Sequence, residues 1–265
     1  MLNDGRLLAW AILLAMCATA NAQDAAKLVE QAVRTELAAD AADHSHWLFY
    51  EVDRKPGNQV KQWVAQAANG DLTCVLEKNG QPVSKDQSRQ AMESFAQNKS
   101  AQAKQRKSGE HDDKQASEML NILPRAFIWT NLGSRDGDTT LHFKPNPQFH
   151  PPTYQARVFA AMEGDMKVND AEHRIVSLKG RLIRDVKFGG GFLGELQAGG
   201  SFDVERRQME SGAWQITETH VHIQGHALLF KDISEQEDDV KSNFNQLPSN
   251  ISFADAEKEL LAHDE

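Results

Sequence analysis

The spacing of apolar residues predicts one amphipathic helix followed by a change to β-structure. Over Asp24–Ala42 the apolar residues recur at intervals of three and four, which is the period of a helix with one buried face. Residues that favour strands then dominate His46–Asp53, Gln59–Ala68 and Leu72–Leu76, with turn-forming residues between them, including an Asn-Gly pair. The pattern therefore predicts a helix that packs on a hairpin and a third strand.

A charged segment at about 84–123 interrupts the β-pattern. Ser84 and Gln87 have the spacing of a capping box, which predicts the start of a helix. The helix has few large apolar residues, mainly Met92 and Phe95, and its second half is strongly charged. We interpret this helical insert as a solvated connector, and the alternatives are a lid over a ligand site or an arm that docks a partner.

Short β-segments follow one another after residue 123, separated by turn residues and not by crossover helices. This organisation is typical of a meandering antiparallel sheet, and a sheet of about ten strands must curl. We predict an α+β fold: a strongly curved antiparallel sheet, an unclosed half-barrel of about ten strands, with helices covering the concave face. The predicted strands are Phe127–Leu132, Thr139–Lys144, Tyr154–Glu163, Asp165–Asn169, Arg174–Lys179, Arg181–Phe188, Ser201–Gln208, Trp214–Gln224 and His226–Ile233. The tail from Asp232 is predicted to wrap the edge of the domain.

The N-terminal segment, residues 1–22, has the pattern of a secretory signal peptide. A short apolar stretch is followed by Ala20-Asn21-Ala22, which suits cleavage after Ala22. We therefore expect a periplasmic or secreted protein, with residues 23–265 as a single domain. Lipidation at Cys17 is the less favoured alternative, because Met16 is not the small residue that lipoprotein signals have before the cysteine.

Charge and cysteine content narrow the possible partners. The formal net charge of -9 disfavours nucleic acid as a partner. No later apolar run is long enough for a stable membrane span. After cleavage Cys74 is the remaining cysteine, and its position between Leu72 and Leu76 predicts a buried side chain.

Candidate catalytic and metal-binding motifs are weak. The glycine-rich run 188–200 lacks the Lys-Ser/Thr and the following helix of a phosphate loop. We interpret it as a wide β-loop that seals the edge of the sheet, and the alternatives are the mouth of an apolar cavity or a segment that inserts into lipid. His220, His222 and His226 are weak candidates for a zinc site, since two of them share a strand face. No nucleophile motif is present in the sequence, and we predict neither a catalytic residue nor a cofactor.

Parts of the second half resemble a family of exported bacterial proteins of the Acidobacteria type. The resemblance is carried by Gly180-Arg181-Leu182, by 185–194, by Gly199-Gly200-Ser201-Phe202, by Trp214 through His222 and by 227–231, and it extends over roughly 123–261. More remotely, the order of elements is similar to that of the outer-membrane lipoprotein carriers and receptors, whose half-barrel holds acyl chains. That similarity implies a curved sheet with an apolar interior, and it is an analogy of architecture.

We therefore expect an exported, non-enzymatic envelope protein that binds a lipid, an acyl chain or another apolar molecule in a cleft between sheet and helices. The predicted lining residues are Trp47, Phe49, Trp63, Trp129, Phe188, Phe192 and Leu193. One alternative is a structural protein without a ligand, or one that binds another envelope protein. A zinc-dependent hydrolase is the less favoured alternative.

Overall fold

The structure is a computed structural model that describes residues 4–189, 194–227 and 236–263, with side chains from residue 23 onward except 226 and 227. Its strands are β1 (His46–Lys55), β2 (Asn58–Ala67), β3 (Gly70–Lys78), β4 (Gln81–Pro82), β5 (Phe127–Arg135), β6 (Asp138–Pro145), β7 (Met162–Asn169), β8 (Ile175–Leu182), β9 (Val186–Phe188), β10 (Gly194–Leu196), β11 (Ser201–Gln208), β12 (Trp214–His222), β13 (Gly225–Ala227) and β14 (Gln236–Leu247). The helices are α1 (Asp4–Ala42), α2 (Lys85–Gln97), α3 (Lys99–Ala126), α4 (Phe253–Ala262) and a 3-10 helix (Gln155–Ala161).

One large antiparallel sheet dominates the described part of the chain. Its eleven strands lie in the order β4-β3-β2-β1-β14-β12-β11-β8-β7-β6-β5. The terminal strands β4 and β5 do not pair with each other, so the sheet stays open. Three short strands form a second sheet in the order β13-β10-β9. The predicted α+β class with a large unclosed antiparallel sheet is confirmed.

Three parts of the chain differ from the prediction. The predicted strands Arg174–Lys179 and Arg181–Phe188 are not separated at Gly180, because β8 runs through it from Ile175 to Leu182 and β9 is a separate short strand. The segment predicted as a strand at Tyr154–Glu163 is mainly the 3-10 helix Gln155–Ala161, which buries Ala156 and Ala161. Burial of these small residues outweighs the local preference for a strand, and β7 begins only at Met162. The tail does not wrap an edge, because β14 lies between β1 and β12 in the middle of the sheet.

The first core lies between α1 and the strands β5 to β8. Ala25, Val29, Ala32 and Val33 share one face of α1, as the three-and-four spacing predicts. They pack against the sheet residues Phe127, Trp129, Leu141, Phe143, Met162, Met166, Val168, Ile175 and Leu182, and Phe188 of β9 joins the same cluster.

A second core forms where α2 and α4 pack on β1, β2 and β3. Leu48 pairs with Ala65 across β1 and β2, and both side chains are in this core with Met92 of α2 and Leu260 of α4. Cys74 is also buried there, as predicted.

Cross-strand pairing relates the two cores. One face of the sheet can be followed through successive pairs from Asp53 to Asp239, Thr219, Val204, Leu178 and Met166, which reaches the core beneath α1. Because side chains alternate along a strand, Asp53 and Phe49 point to one face of β1. Leu48, which belongs to the second core, points to the opposite face. The helices are therefore divided between the two faces, with α1 on one and α2 and α4 on the other.

Candidate functional site

The residues predicted to line one apolar cleft lie in three separate clusters. Trp129 and Phe188 are in the core beneath α1. Trp63 is in the core beneath α4, where its ring centroid lies 4.9 Å from that of His263. Trp47 and Phe49 form a third cluster with Val64, Met209 and Phe244, among others. The other two predicted residues, Phe192 and Leu193, lie outside the described residues.

The third cluster borders a cavity of about 590 Å³ between the β11–β12 hairpin and β14, which we call the hairpin cleft. A volume of this size is within the range of small-molecule sites, roughly 300 to 1,000 Å³. The lining residues are Trp47, Arg207, Met209, Glu210, Ser211, Thr217, Glu218, Val240, Lys241, Ser242, Asn243, Phe244, Asn245 and Gln246. Of the predicted aromatic residues that the structure describes, Trp47 is the one that lines this cleft.

One wall of the hairpin cleft is the edge of a strand. The continuous run 240–246 lines the cavity, although neighbouring side chains on a strand point to opposite faces. β14 pairs with β1 up to Leu247, whereas its pairing with β12 ends at Val240, opposite Glu218. β12 and β14 therefore separate beyond that pair, and the side of β14 away from β1 faces the cavity.

Aromatic rings form the apolar wall of the cleft. The ring of Phe244 lies edge-on to Trp47, with centroids 6.1 Å apart, and stacks on Phe49 at 5.3 Å. The indole N–H of Trp47 donates a hydrogen bond to Ser45 Oγ at 2.7 Å. Because that donor is already engaged, Trp47 offers the cavity mainly its apolar ring atoms.

Most charges around the cleft are paired. Lys241 Nζ lies 2.9 Å from Asp239 and 3.7 Å from Glu51. Burial alone lowers the pKa of Lys241, but these carboxylates outweigh it and raise that pKa. Arg207 lies 3.3 Å from Glu218. The exposed carboxylate of Glu210 has neither an ion pair nor a hydrogen bond within the described part of the chain.

The predicted histidine candidates lie beside the point where β12 and β14 separate. His220 Nδ1 is 2.7 Å from Asp238 Oδ1, and His222 Nε2 is 3.1 Å from the same oxygen. The Asp238 hydrogen bond raises the pKa of His220. Among the described residues, no group of three or more His, Cys, Asp or Glu side chains is arranged to hold a metal ion. The side chain of His226 lies outside the described residues.

Sequence reasoning missed most of this cleft. Phe244 carried a signal, since it is an isolated aromatic residue in a charged tail, but the separation of β12 from β14 is a tertiary feature with no local pattern. Comparison with protein-family models, curated proteins and solved structures finds no match to the chain. No helix in the described residues has the length and apolar character to cross a membrane.

Proposed function

We propose that the protein is an exported, non-enzymatic binding protein whose apolar or amphipathic ligand occupies the hairpin cleft. The observation that carries this proposal is the meeting of an aromatic wall, Trp47 and Phe244, with the polar edge of β14 in one cavity. Sites of this kind take up apolar groups on aromatic surfaces and orient them through a few polar groups. Export rests on the signal-peptide pattern of residues 1–22.

Two binding assays test this proposal. Lipids extracted from denatured purified protein are identified by mass spectrometry, and a fluorescent fatty acid and a library of random peptides are offered to the native protein. We expect at least one ligand class to bind, and we expect the variant Phe244→Ala to weaken binding at least about tenfold through loss of apolar contact.

The variant Tyr154→Ala is the matched control, because Tyr154 is an exposed aromatic residue away from the cleft. Equal affinity in both variants would place the ligand elsewhere. If no lipid, fatty acid or peptide binds, the proposal is wrong, and a structural role without a ligand becomes the better interpretation.

A further inference from the structure

We infer that the ligand of the hairpin cleft is an extended polypeptide segment that adds a strand to the open edge of β14. This inference rests on the proposed function and names its ligand class. It depends on three features of the cleft: an unpaired strand edge, side-chain surfaces beside that edge, and the distribution of charge.

The unpaired edge supplies hydrogen-bonding groups for a peptide backbone. On one side, β14 pairs with β1 at 241–242 and at 245–246, and a bulge at Asn243 and Phe244 separates the two stretches. No described backbone group pairs with the other side of β14 over 241–246. The amide and carbonyl groups on that side face the cavity. An added strand can satisfy such groups on either side of the bulge, whereas an acyl chain satisfies none of them.

At one end of the sheet, the outer edge of β3 shows how this fold can cover a strand edge with a side chain. There the side chain of Gln105 on α3 accepts a hydrogen bond from Asp71 N at 2.7 Å and donates one to Asp71 O at 3.2 Å. The amide group thus occupies the place of a neighbouring strand. No comparable side chain bonds to the cleft-facing backbone of 241–246 in the described structure, apart from the local contact of Asn245 with Asn243 O.

The side chains beside this edge suit alternate residues of a peptide. Trp47, Phe244 and Met209 provide an apolar surface on the side of the third cluster. In strand addition the main-chain hydrogen bonds give affinity, while surfaces that accept alternate side chains give specificity. We therefore expect apolar residues at every second position of the bound segment.

Charge distinguishes a peptide from a fatty acid. A fatty-acid carboxylate needs a cation, but Arg207 is paired with Glu218, and Lys241 is paired with Asp239 and Glu51. Among the described residues, the lining charge without an ion pair is the carboxylate of Glu210, at the turn of the hairpin. A lysine or arginine near one end of the peptide would complement it.

The test uses the purified full chain and a phage-displayed library of random peptides. Selected peptides are synthesised with N-methyl groups on alternate amides, in either of the two possible registers. Since a strand bonds to its neighbour through alternate amides, methylation in one register should weaken binding at least about tenfold and methylation in the other much less. Hydrogen exchange of the amides in 241–246 should slow when a peptide binds.

The variant Glu210→Gln should weaken the binding of lysine- or arginine-containing peptides about threefold, as expected for an exposed ion pair. Glu259→Gln on α4 makes the same charge change at an exposed position outside the cleft and should have no effect. Equal loss in both N-methyl registers, or unchanged exchange in 241–246, would overturn strand addition.

The outcomes also separate this inference from the proposed function. One outcome is that no peptide is selected but a fluorescent fatty acid binds, and that its binding is lost in Phe244→Ala. In that case the inferred ligand class is wrong and the cleft remains a binding site. If neither probe binds, both proposals fail.

Discussion

The carboxylate of Glu36 on α1 lies 2.5 Å from the guanidinium of Arg206 on β11, and both side chains are largely buried. Arg174 approaches the same carboxylate at 2.9 Å, and the backbone N–H of Ile175 donates to it at 2.6 Å. These contacts fasten the C-terminal half of α1 to the sheet. Glu36 therefore neutralises two buried arginines and connects the helix with β8 and β11.

Replacing Glu36 with Gln should destabilise the protein by about 3 kcal/mol, because the change leaves Arg174 and Arg206 without a counter-charge in a buried site. Urea denaturation measures the effect. Glu30→Gln is the matched control, since Glu30 is exposed on the same helix and its ion pair with Arg34 is worth little. Similar denaturation midpoints for the two variants would contradict the assigned role.

The same ion cluster predicts a dependence on pH. Burial by itself raises the pKa of Glu36, but the hydrogen bonds from Arg174 and Arg206 outweigh burial and lower that pKa. A carboxylate with a depressed pKa stabilises the folded state at pH values above its ordinary pKa of about 4.3. This stabilisation is lost as the pH falls through the pKa in the folded state. The difference in stability between wild type and Glu36→Gln should therefore shrink below about pH 4. A constant difference from pH 7 to 3 would show that ionisation of Glu36 is not its source.

Replacement by alanine should change the stability of the protein in opposite directions at two glycines. Gly164 on β7 faces Gly180 on β8, and a Cβ on Gly164 would collide with the carbonyl oxygen of Lys179. Gly164→Ala should therefore cost about 1 to 3 kcal/mol. On α3 a Cβ at Gly109 meets no described atom within 4 Å, and Gly109→Ala should stabilise the helix by about 0.5 to 1 kcal/mol. Thermal unfolding of both variants measures the two changes in stability. Melting temperatures that shift in the same direction for both variants would contradict this prediction.

Local patterns were sufficient for much of the fold. β1, β2 and β3 have strong strand-forming residues and clear turn signals, and the structure places them close to the predicted bounds. β14 was missed because several of its partly buried positions carry charges instead of apolar residues. Asp239 and Lys241 are mostly buried there, and their ion pair, together with Glu51 of β1, offsets the cost of burial.

The cleft was harder to predict than the sheet. Trp47 was identified because large aromatic residues are natural candidates for an apolar wall. The other wall is a strand edge, and whether an edge is free depends on which strands pair over which residues. The pairing of β12 with β14 ends at Val240, yet Lys241 and Ser242 continue the strand on its other side. A sequence pattern describes side chains and does not report this.

The histidine beside the cleft connects the two strands that separate there. His220 on β12 lies 2.7 Å from Asp238 on β14 and 3.4 Å from Glu218. Asp203 of β11 pairs with His220 across the strands, and its carboxylate is in turn bonded to Lys179. The charges that face His220 are therefore mainly acidic, with Lys179 held one strand further away.

These contacts predict that the joint between β12 and β14 weakens as the pH rises. The hydrogen bond to Asp238 raises the pKa of His220, so its stabilising contribution is complete below the ordinary value of about 6.5 and is lost above the folded-state pKa. Since His220 is 31% exposed, the loss should stay below about 1 kcal/mol. Chemical denaturation at pH 6 and pH 8 measures it. The variant His220→Gln should remove the difference in stability between pH 6 and pH 8. The control His44→Gln, at an exposed position, should retain it. An unchanged difference in His220→Gln would exclude His220 as its source.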